Sequence, residues 1–351
     1  MTTSSSTNAP FSFNQQKLLD WMIQHIEGIR EVKSLEVKQF EGGQSNPTFL
    51  LTVGSRKIVL RKKPEGDLLP SAHAIDREIK VIQALHDVDF PVAKPLAYCT
   101  DTAVIGAEFY LMDFVEGRIF WDPRLPGLQP SERAAIFNEM NNTIAKLHAL
   151  DTSVIGLSDY GRAGGYIGRQ IARWTKQYQS SATEVIPAMD QLIEWLPQNI
   201  PSYDDTRLVH GDFRLDNMIF HPTEPKVLAL LDWELSTLGH PLSDFAYHMM
   251  TWRFAPDLFR GLAGSQFEEL GIPIESEYLE QYLAKTGQLI ENKKDWEFYI
   301  IFNMFRMAAI LQGVLFRALQ GNAASEKALE AGSKAKPIAI LAWQQVLSLP
   351  K

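Results

Sequence analysis

The sequence predicts an α+β chain built as two lobes, a small β-rich lobe followed by a larger helical one. Three observations carry that expectation. A length of 351 residues is more than one ordinary core holds and suits two. Short apolar runs with period-two alternation crowd residues 35–115. Beyond Gly117 the apolar residues recur mostly at helical spacing. The expected organisation is a disordered tail over residues 1–13, an N-terminal lobe over 14–117 and a C-terminal lobe over 118–351.

In the first lobe, residues 14–26 place Leu18, Leu19, Met22 and Ile26 on one helix face, with Asn14 as N-cap. Strands are expected at 35–40, 48–53 and 57–62, with the turn EGGQSNP between the first two. A helix at 71–85, capped by Ser71, precedes strands at 95–99 and 108–115. In the second lobe, helices are expected at 131–150, 168–178, 186–196, 244–252, 275–286 and 296–319. Residues 207–235 are the exception. There, short strands at 218–220 and 227–231 are joined by the hairpin turn HPTEPK.

Composition narrows the function. A hydrophobic content of 45% and a charged content of 22% are those of a globular protein. The net charge of −8 argues against a general nucleic-acid binder. The longest apolar-rich stretch, 296–319, is interrupted by Asn303, Arg306, Gln312 and Arg317, short of the roughly 18 apolar residues of a membrane span. The opening MTTSSSTNAPFSF lacks the basic start and apolar core of a secretory signal. Cys99 is the only cysteine. A cytoplasmic location is therefore expected, with neither nucleic acid nor membrane as partner.

The stretch LVHGDFRLDNMIF, residues 208–220, has more hydrogen-bonding and ionisable groups than a turn needs. His210, Gly211 and Asp212 are followed by Asn217 at the spacing H-x-D-x-x-x-x-N of a kinase catalytic loop. Asp232, after the apolar pair Leu230 and Leu231, is placed to hold Mg²⁺ together with Asn217. Arg214 can reach a γ-phosphate or simply pair with Asp216 or Glu234. His210 orients the loop or moves a proton. In the template the Asp is the base, which favours orientation.

The first lobe offers the matching cation. Ile58-Val59-Leu60-Arg61 aligns with the kinase strand motif V-A-I-K, so Arg61 takes the phosphate-pairing position and Lys62 faces the other way. Glu78 supplies an independent check. With Ile75 at zero and about 100° per residue, Glu78 falls at about 300°, between Leu85 at about 280° and Ile82 at about 340°. A carboxylate inside an apolar stripe needs a cation, and Arg61 or Lys62 is at hand. Gly42 and Gly43, with Ser45 and Asn46 as donors, suit either a turn over phosphates or an ordinary hairpin.

These residues together resemble the aminoglycoside phosphotransferase and choline kinase group of kinase-like enzymes. The likeness is nearest to the branch whose domains occur fused to acyl-CoA dehydrogenases. It is carried by GGQSNPTFLL, VLRKKPEGDLLPSAHAIDREIKVIQAL, VIGAEFYLMDFVEG, LVHGDFRLDN and LLDWELSTLGHPLSDFAY, most of residues 40–250. The resemblance implies a bilobal protein-kinase-like fold with nucleotide in the cleft between the lobes. It makes Asp212 the catalytic base and Asn217 and Asp232 the metal ligands. The backbone of Met112, Asp113 and Val115 becomes the hinge that reads adenine, and Asp244 the brace of the catalytic loop. Arg61 departs from it, since most of the wider group carry Lys there.

The implied activity is transfer of phosphate from ATP or GTP, with Mg²⁺, to a small-molecule hydroxyl. The D-F-G and A-P-E marks of protein kinases are absent, which disfavours a protein substrate. Arg169, Arg173 and Lys176 share one face of a helix opposite Ile171, Trp174 and Tyr178, by default a solvated face. Arg306, within an apolar helix, needs an acid partner or lines a pocket. Arg173, Trp174 and Arg306 are the expected contacts to an anionic or acyl-type acceptor, a hydroxy acid or its thioester. The alternatives are an aminoglycoside kinase and a non-catalytic nucleotide-binding module.

Overall fold

The structure, a computed structural model, describes residues 13–40, 46–64, 74–320 and 326–350. The chain divides between Glu116 and Gly117 into two compact units.

The first unit is a five-stranded antiparallel sheet with helices. Its strands are β1 (Glu36–Gln39), β2 (Thr48–Val53), β3 (Arg56–Lys62), β4 (Pro95–Cys99) and β5 (Phe109–Asp113), in the order β1-β2-β3-β5-β4. The helices are α1 (Gln15–His25), α2 (Ile75–His86) and the short α3 (Thr102–Ile105). Asn14 caps α1, its side chain accepting from the Lys17 amide. Leu18, Leu19 and Met22 of α1 share one core with Phe49, Leu51, Val53, Ile58, Leu60, Phe109 and Leu111. Alternation along β3 then decides where its two cations go. Lys62 shares a face with Ile58 and Leu60, and its ammonium lies 5.7 Å from the centre of the Phe13 ring. Arg61 takes the opposite face and meets α2.

Two details differ from expectation. Helix α2 begins at Ile75, with Ala74 at its cap position and no side-chain cap bond. Ser71 lies outside the described residues. Helix α3 was not expected. At four residues it is too short for periodicity, and Asp101 at one end and left-handed Gly106 at the other define it.

The second unit is helical around two small ribbons. Strand β6 (Arg207–Val209) pairs with β9 (Thr237–Gly239), and β7 (Met218–Phe220) pairs with β8 (Val227–Leu230). The helices are α4 (Pro130–Ala149), α5 (Tyr166–Ser181), α6 (Pro187–Trp195), α7 (Pro241–Met249), α8 (Pro256–Phe259), α9 (Phe267–Leu270), α10 (Glu275–Thr286), α11 (Lys293–Leu319), α12 (Glu326–Ser333) and α13 (Ala335–Leu347). Helix α11 packs against α5, α7, α12 and α13. It is long and apolar enough to cross a membrane, but 83% of its most apolar window is buried inside the protein, as in a core helix.

The ribbons matter because of what they hold. Strand β6 ends immediately before His210, β7 begins immediately after Asn217, and β8 ends two residues before Asp232. Every end of the 210–217 loop is thus pinned by strand pairing. The start of the unit is tied to the same place. Arg118 and Phe220 exchange backbone hydrogen bonds at 2.8 Å each way. A Cβ on Gly117 would come within 2.2 Å of the Phe220 carbonyl oxygen, so only glycine fits there.

Candidate active site

The loop 210–217 is held from below by one buried carboxylate. Asp244, on α7, accepts the His210 amide at Oδ2 and the Gly211 amide at Oδ1, each at 2.8 Å. His148 approaches Oδ2 at 3.2 Å through Nε2, and the Tyr282 hydroxyl lies 2.6 Å from His148 Nδ1. Burial opposes ionisation of Asp244, but the hydrogen bond and charge of His148 and the His210 amide outweigh it and hold its pKa below the ordinary carboxylate value. Gly211 has φ 82°, and a Cβ there would meet the Leu235 carbonyl oxygen at 2.7 Å. The loop therefore needs glycine at that position.

His210 serves the loop and does not face outward. Its Nδ1 accepts from the Asp212 amide at 3.1 Å and its Nε2 lies 2.8 Å from the Leu231 carbonyl. These two bonds fix the tautomer with the proton on Nε2. The ring is fully buried. A proton-transfer role for His210 is thereby corrected to an orienting one, because both nitrogens are spent on backbone. The Leu231 amide in turn donates to the Asn217 carbonyl at 2.8 Å, which joins the loop to the segment carrying Asp232.

Asp212 is fixed on both oxygens. The Tyr247 hydroxyl donates to Oδ1 at 2.6 Å, and Asn217 Nδ2 donates to Oδ2 at 3.0 Å and to the Asp212 carbonyl at 2.9 Å. Arg214 Nε lies 3.1 Å from Oδ1, yet its N–H is not aimed at that oxygen. Arg214 Nη2 is 3.5 Å from Asp216. Burial weighs against the Arg214 charge, but Asp212, Tyr247, Asp216 and Asp232 outweigh it and raise its pKa. Asp232 is one of four non-glycine residues at positive φ among the described residues, with φ 65° and ψ 64°. Such a conformation costs on the order of 1 kcal/mol and persists only where its surroundings impose it.

Mg²⁺ suits this donor set. Asn217 spends its amide nitrogen on Asp212, which leaves the amide oxygen as a hard acceptor. Asp232 adds a carboxylate. Among the described residues no group of three or more His, Cys, Asp or Glu side chains could hold an ion by itself. A cation here would complete its shell from phosphate and water, as Mg²⁺ commonly does.

The first unit carries a second buried cluster. Arg61 Nε forms an ion pair with Glu78 Oε2 at 2.8 Å, and that oxygen accepts a hydrogen bond from the Tyr110 hydroxyl at 3.0 Å. Asn46 Nδ2 donates to Glu78 Oε1 at 2.6 Å. Asn46 is fully buried, so the structure gives it to Glu78 and not to a phosphate. Gly42, Gly43 and Ser45 lie outside the described residues. Met112 and Asp113 are the last residues of β5. The Asp113 amide goes to Lys94 and the Phe114 amide to Lys57, while the Asp113 side chain pairs with Arg56 at 2.8 Å. The expected hinge narrows to Val115, whose backbone has no partner among the described residues.

The expected substrate contacts are placed unequally. Arg173 is exposed, with its guanidinium 5.2 Å from the centre of the Trp174 ring. Arg169 instead donates to the Gly164 and Arg162 carbonyls. Arg306 has no acid partner among the described residues and is 5% exposed. It donates from Nη2 to the Gly211 carbonyl at 2.7 Å and lies 5.0 Å from the Tyr247 ring centre and 5.6 Å from that of Trp174. A direct substrate contact for Arg306 is thus replaced by a bond to the loop. Sequence reasoning missed Tyr247, whose only signal was its position three residues after Asp244.

Comparison with known proteins identifies the family. Residues 36–291 match the model of the "Phosphotransferase enzyme family", and the chain belongs to that family. It is 48% identical over 334 residues to rat acyl-CoA dehydrogenase family member 11, across 93% of this chain and 42% of that one. The chain thus spans less than half the length of that relative. A solved structure from Ralstonia eutropha JMP134, described as a candidate aminoglycoside phosphotransferase, is 51% identical with a TM-score of 0.88, covering 97% of this chain and 100% of the other. The fold is also that of spectinomycin phosphotransferase solved with ADP and spectinomycin, at a TM-score of 0.60 and 13% identity over 94% of this chain and 98% of that one.

Replacing Arg61 by Ala leaves Glu78 without its cation. Chemical denaturation is expected to register a loss of roughly 3 kcal/mol or more for breaking so buried a pair. Glu78→Gln added to Arg61→Ala should recover part of that loss, because the stranded charge is then gone. A double variant as unstable as the sum of the two singles would contradict the account.

Proposed function

We propose that the chain moves the γ-phosphoryl group of ATP, or of GTP, onto a hydroxyl of a small molecule. One observation carries the reading: the Asp212 carboxylate is fixed by Tyr247 and Asn217 beside a guanidinium that is only loosely tied to it. Phosphoryl transfer asks for little more than a positioned base, a metal and positive charge near the moving group. Asp212 is the base. The acceptor oxygen attacks the γ-phosphorus, the bond from phosphorus to the bridging oxygen breaks, and nucleoside diphosphate leaves. The hydroxyl proton passes to Asp212. Arg214 turns to the transferring group. The Asn217 amide oxygen and Asp232 would hold Mg²⁺, which neutralises phosphate charge when bound. Arg61, oriented by Glu78, is the nucleotide's cation. Val115 reads the base.

The acceptor in this reading is a hydroxy acid or its acyl thioester. Arg173, exposed over Trp174, offers a cation to an anionic acceptor. The description of the Ralstonia protein favours the competing acceptor, an aminoglycoside.

Three measurements test the reading. Asp212→Asn is expected to bind Mg·ATP like the parent and to lose about 10²–10⁴-fold in turnover. Parental turnover would remove Asp212 as base. Calorimetry of Asp232→Ala should lose the Mg²⁺-dependent part of nucleotide binding, and undiminished Mg·ATP affinity would refute that ligand. A panel of hydroxy acids, their thioesters and kanamycin-like polycations, scored by nucleoside diphosphate release, identifies the acceptor class. Turnover of the polycations alone would overturn the anionic acceptor.

A further inference from the structure

We propose that Tyr247 and Arg306 are positioning residues that select which oxygen of Asp212 takes the proton. The inference rests on the reading of Asp212 as base. Asp244 and Tyr247 stand three residues apart on α7 and so share a face of that helix. That face grips three consecutive loop residues. Asp244 holds the amides of His210 and Gly211, and Tyr247 holds the carboxylate of Asp212.

Tyr247 is a permanent donor. Burial, and next the negative charge of Asp212, push its pKa far above the ordinary phenol range, so the hydroxyl keeps its proton. At 2.6 Å, a donor to an ionised acceptor is a strong bond. Arg306 secures that donor. Its guanidinium lies over the Tyr247 ring at 5.0 Å and bonds the carbonyl of Gly211, the residue before Asp212. Almost fully buried and without a carboxylate partner among the described residues, it is a costly cation to keep for packing alone. It is spent on the Tyr247 ring and the Gly211 carbonyl, the two neighbours that place the Asp212 carboxylate.

The two oxygens are bound unequally. Each accepts one hydrogen bond, but Tyr247 holds Oδ1 at 2.6 Å while Asn217 holds Oδ2 at 3.0 Å. The shorter bond draws more charge from Oδ1 and leaves Oδ2 the more basic oxygen, with a free acceptor site for the hydroxyl proton. Without Tyr247 the carboxylate can rotate and present either oxygen, and a misplacement of about 1 Å can cost on the order of 10²-fold in rate.

Tyr247→Phe removes one oxygen and keeps the ring beneath Arg306. Its kcat is expected to fall about 10–100-fold, with KM for Mg·ATP and for the acceptor within about twofold of the parent in a protein still folded at the assay temperature. Arg306→Met should lower kcat in the same way, and Arg306→Lys should restore part of it. In an Asp212→Asn background, Tyr247→Phe should cost nothing further, because it acts only through that carboxylate. Parental kcat in Tyr247→Phe overturns the proposal, as does a full additional loss in the double variant. The acceptors are water and the panel compounds. A parent that turns over Mg·ATP with none of them, or an Asp212→Asn variant as active as the parent, overturns instead the reading of Asp212 as base.

Discussion

The site depends on a single buried carboxylate. Asp244 takes the amides of His210 and Gly211, two groups in a buried stretch that would otherwise lack partners. A neutral acceptor could satisfy one of them. An ionised one satisfies both and still receives His148. The cost is an anion in the interior, offset by three donors aimed at it. From that point the geometry propagates outward. Fixed amides at 210 and 211 fix the start of the loop, the His210 ring then ties Asp212 to Leu231, and Leu231 ties Asn217 to the segment that carries Asp232.

Charges in the two units are managed alike. In the first, a carboxylate surrounded by donors positions a guanidinium, as Glu78 does for Arg61 with Asn46 and Tyr110 behind it. In the second, α7 supplies an acid to the backbone and a phenol to the Asp212 carboxylate. In both, the groups proposed to meet nucleotide or acceptor are set by buried partners that do not meet them. Arg214 lies near Asp212 and Asp216, its Nε without a well-aimed bond to Asp212.

Much of this was legible in the sequence where the chemistry is contiguous. The 210–217 loop was readable because its spacing is local, and Glu78 because a carboxylate in an apolar stripe is an anomaly on a helical wheel. The residues read amiss share one cause, which is a partner far along the chain. Asn46 in a glycine-rich turn looks like a phosphate donor until Glu78, 32 residues on, is brought beside it. Arg306 was visible as an anomaly, but its partner is a backbone carbonyl 95 residues away, which leaves no mark in a sequence. Tyr247 looked like one more aromatic in an apolar helix. Strands β6 and β9 are three residues each, too short for alternation to register, and α13 exposes Ile340 and Leu347 while burying Ile338 and Ala342, which blurs its period.

The central claim is that Asp244 holds the 210–217 loop in its observed geometry. Asp244→Asn tests it closely, since the amide keeps the shape but must turn an N–H toward one of the donors it replaces. Hydrogen exchange should be measured for the backbone of residues 208–220 and, as a control, of residues 46–64. The account predicts faster exchange in the loop by roughly 10-fold or more, from the ~1.5–3 kcal/mol that hydrogen bonds to a charged group contribute, with the control segment unchanged. Parental protection of the loop in a folded Asp244→Asn protein would contradict it.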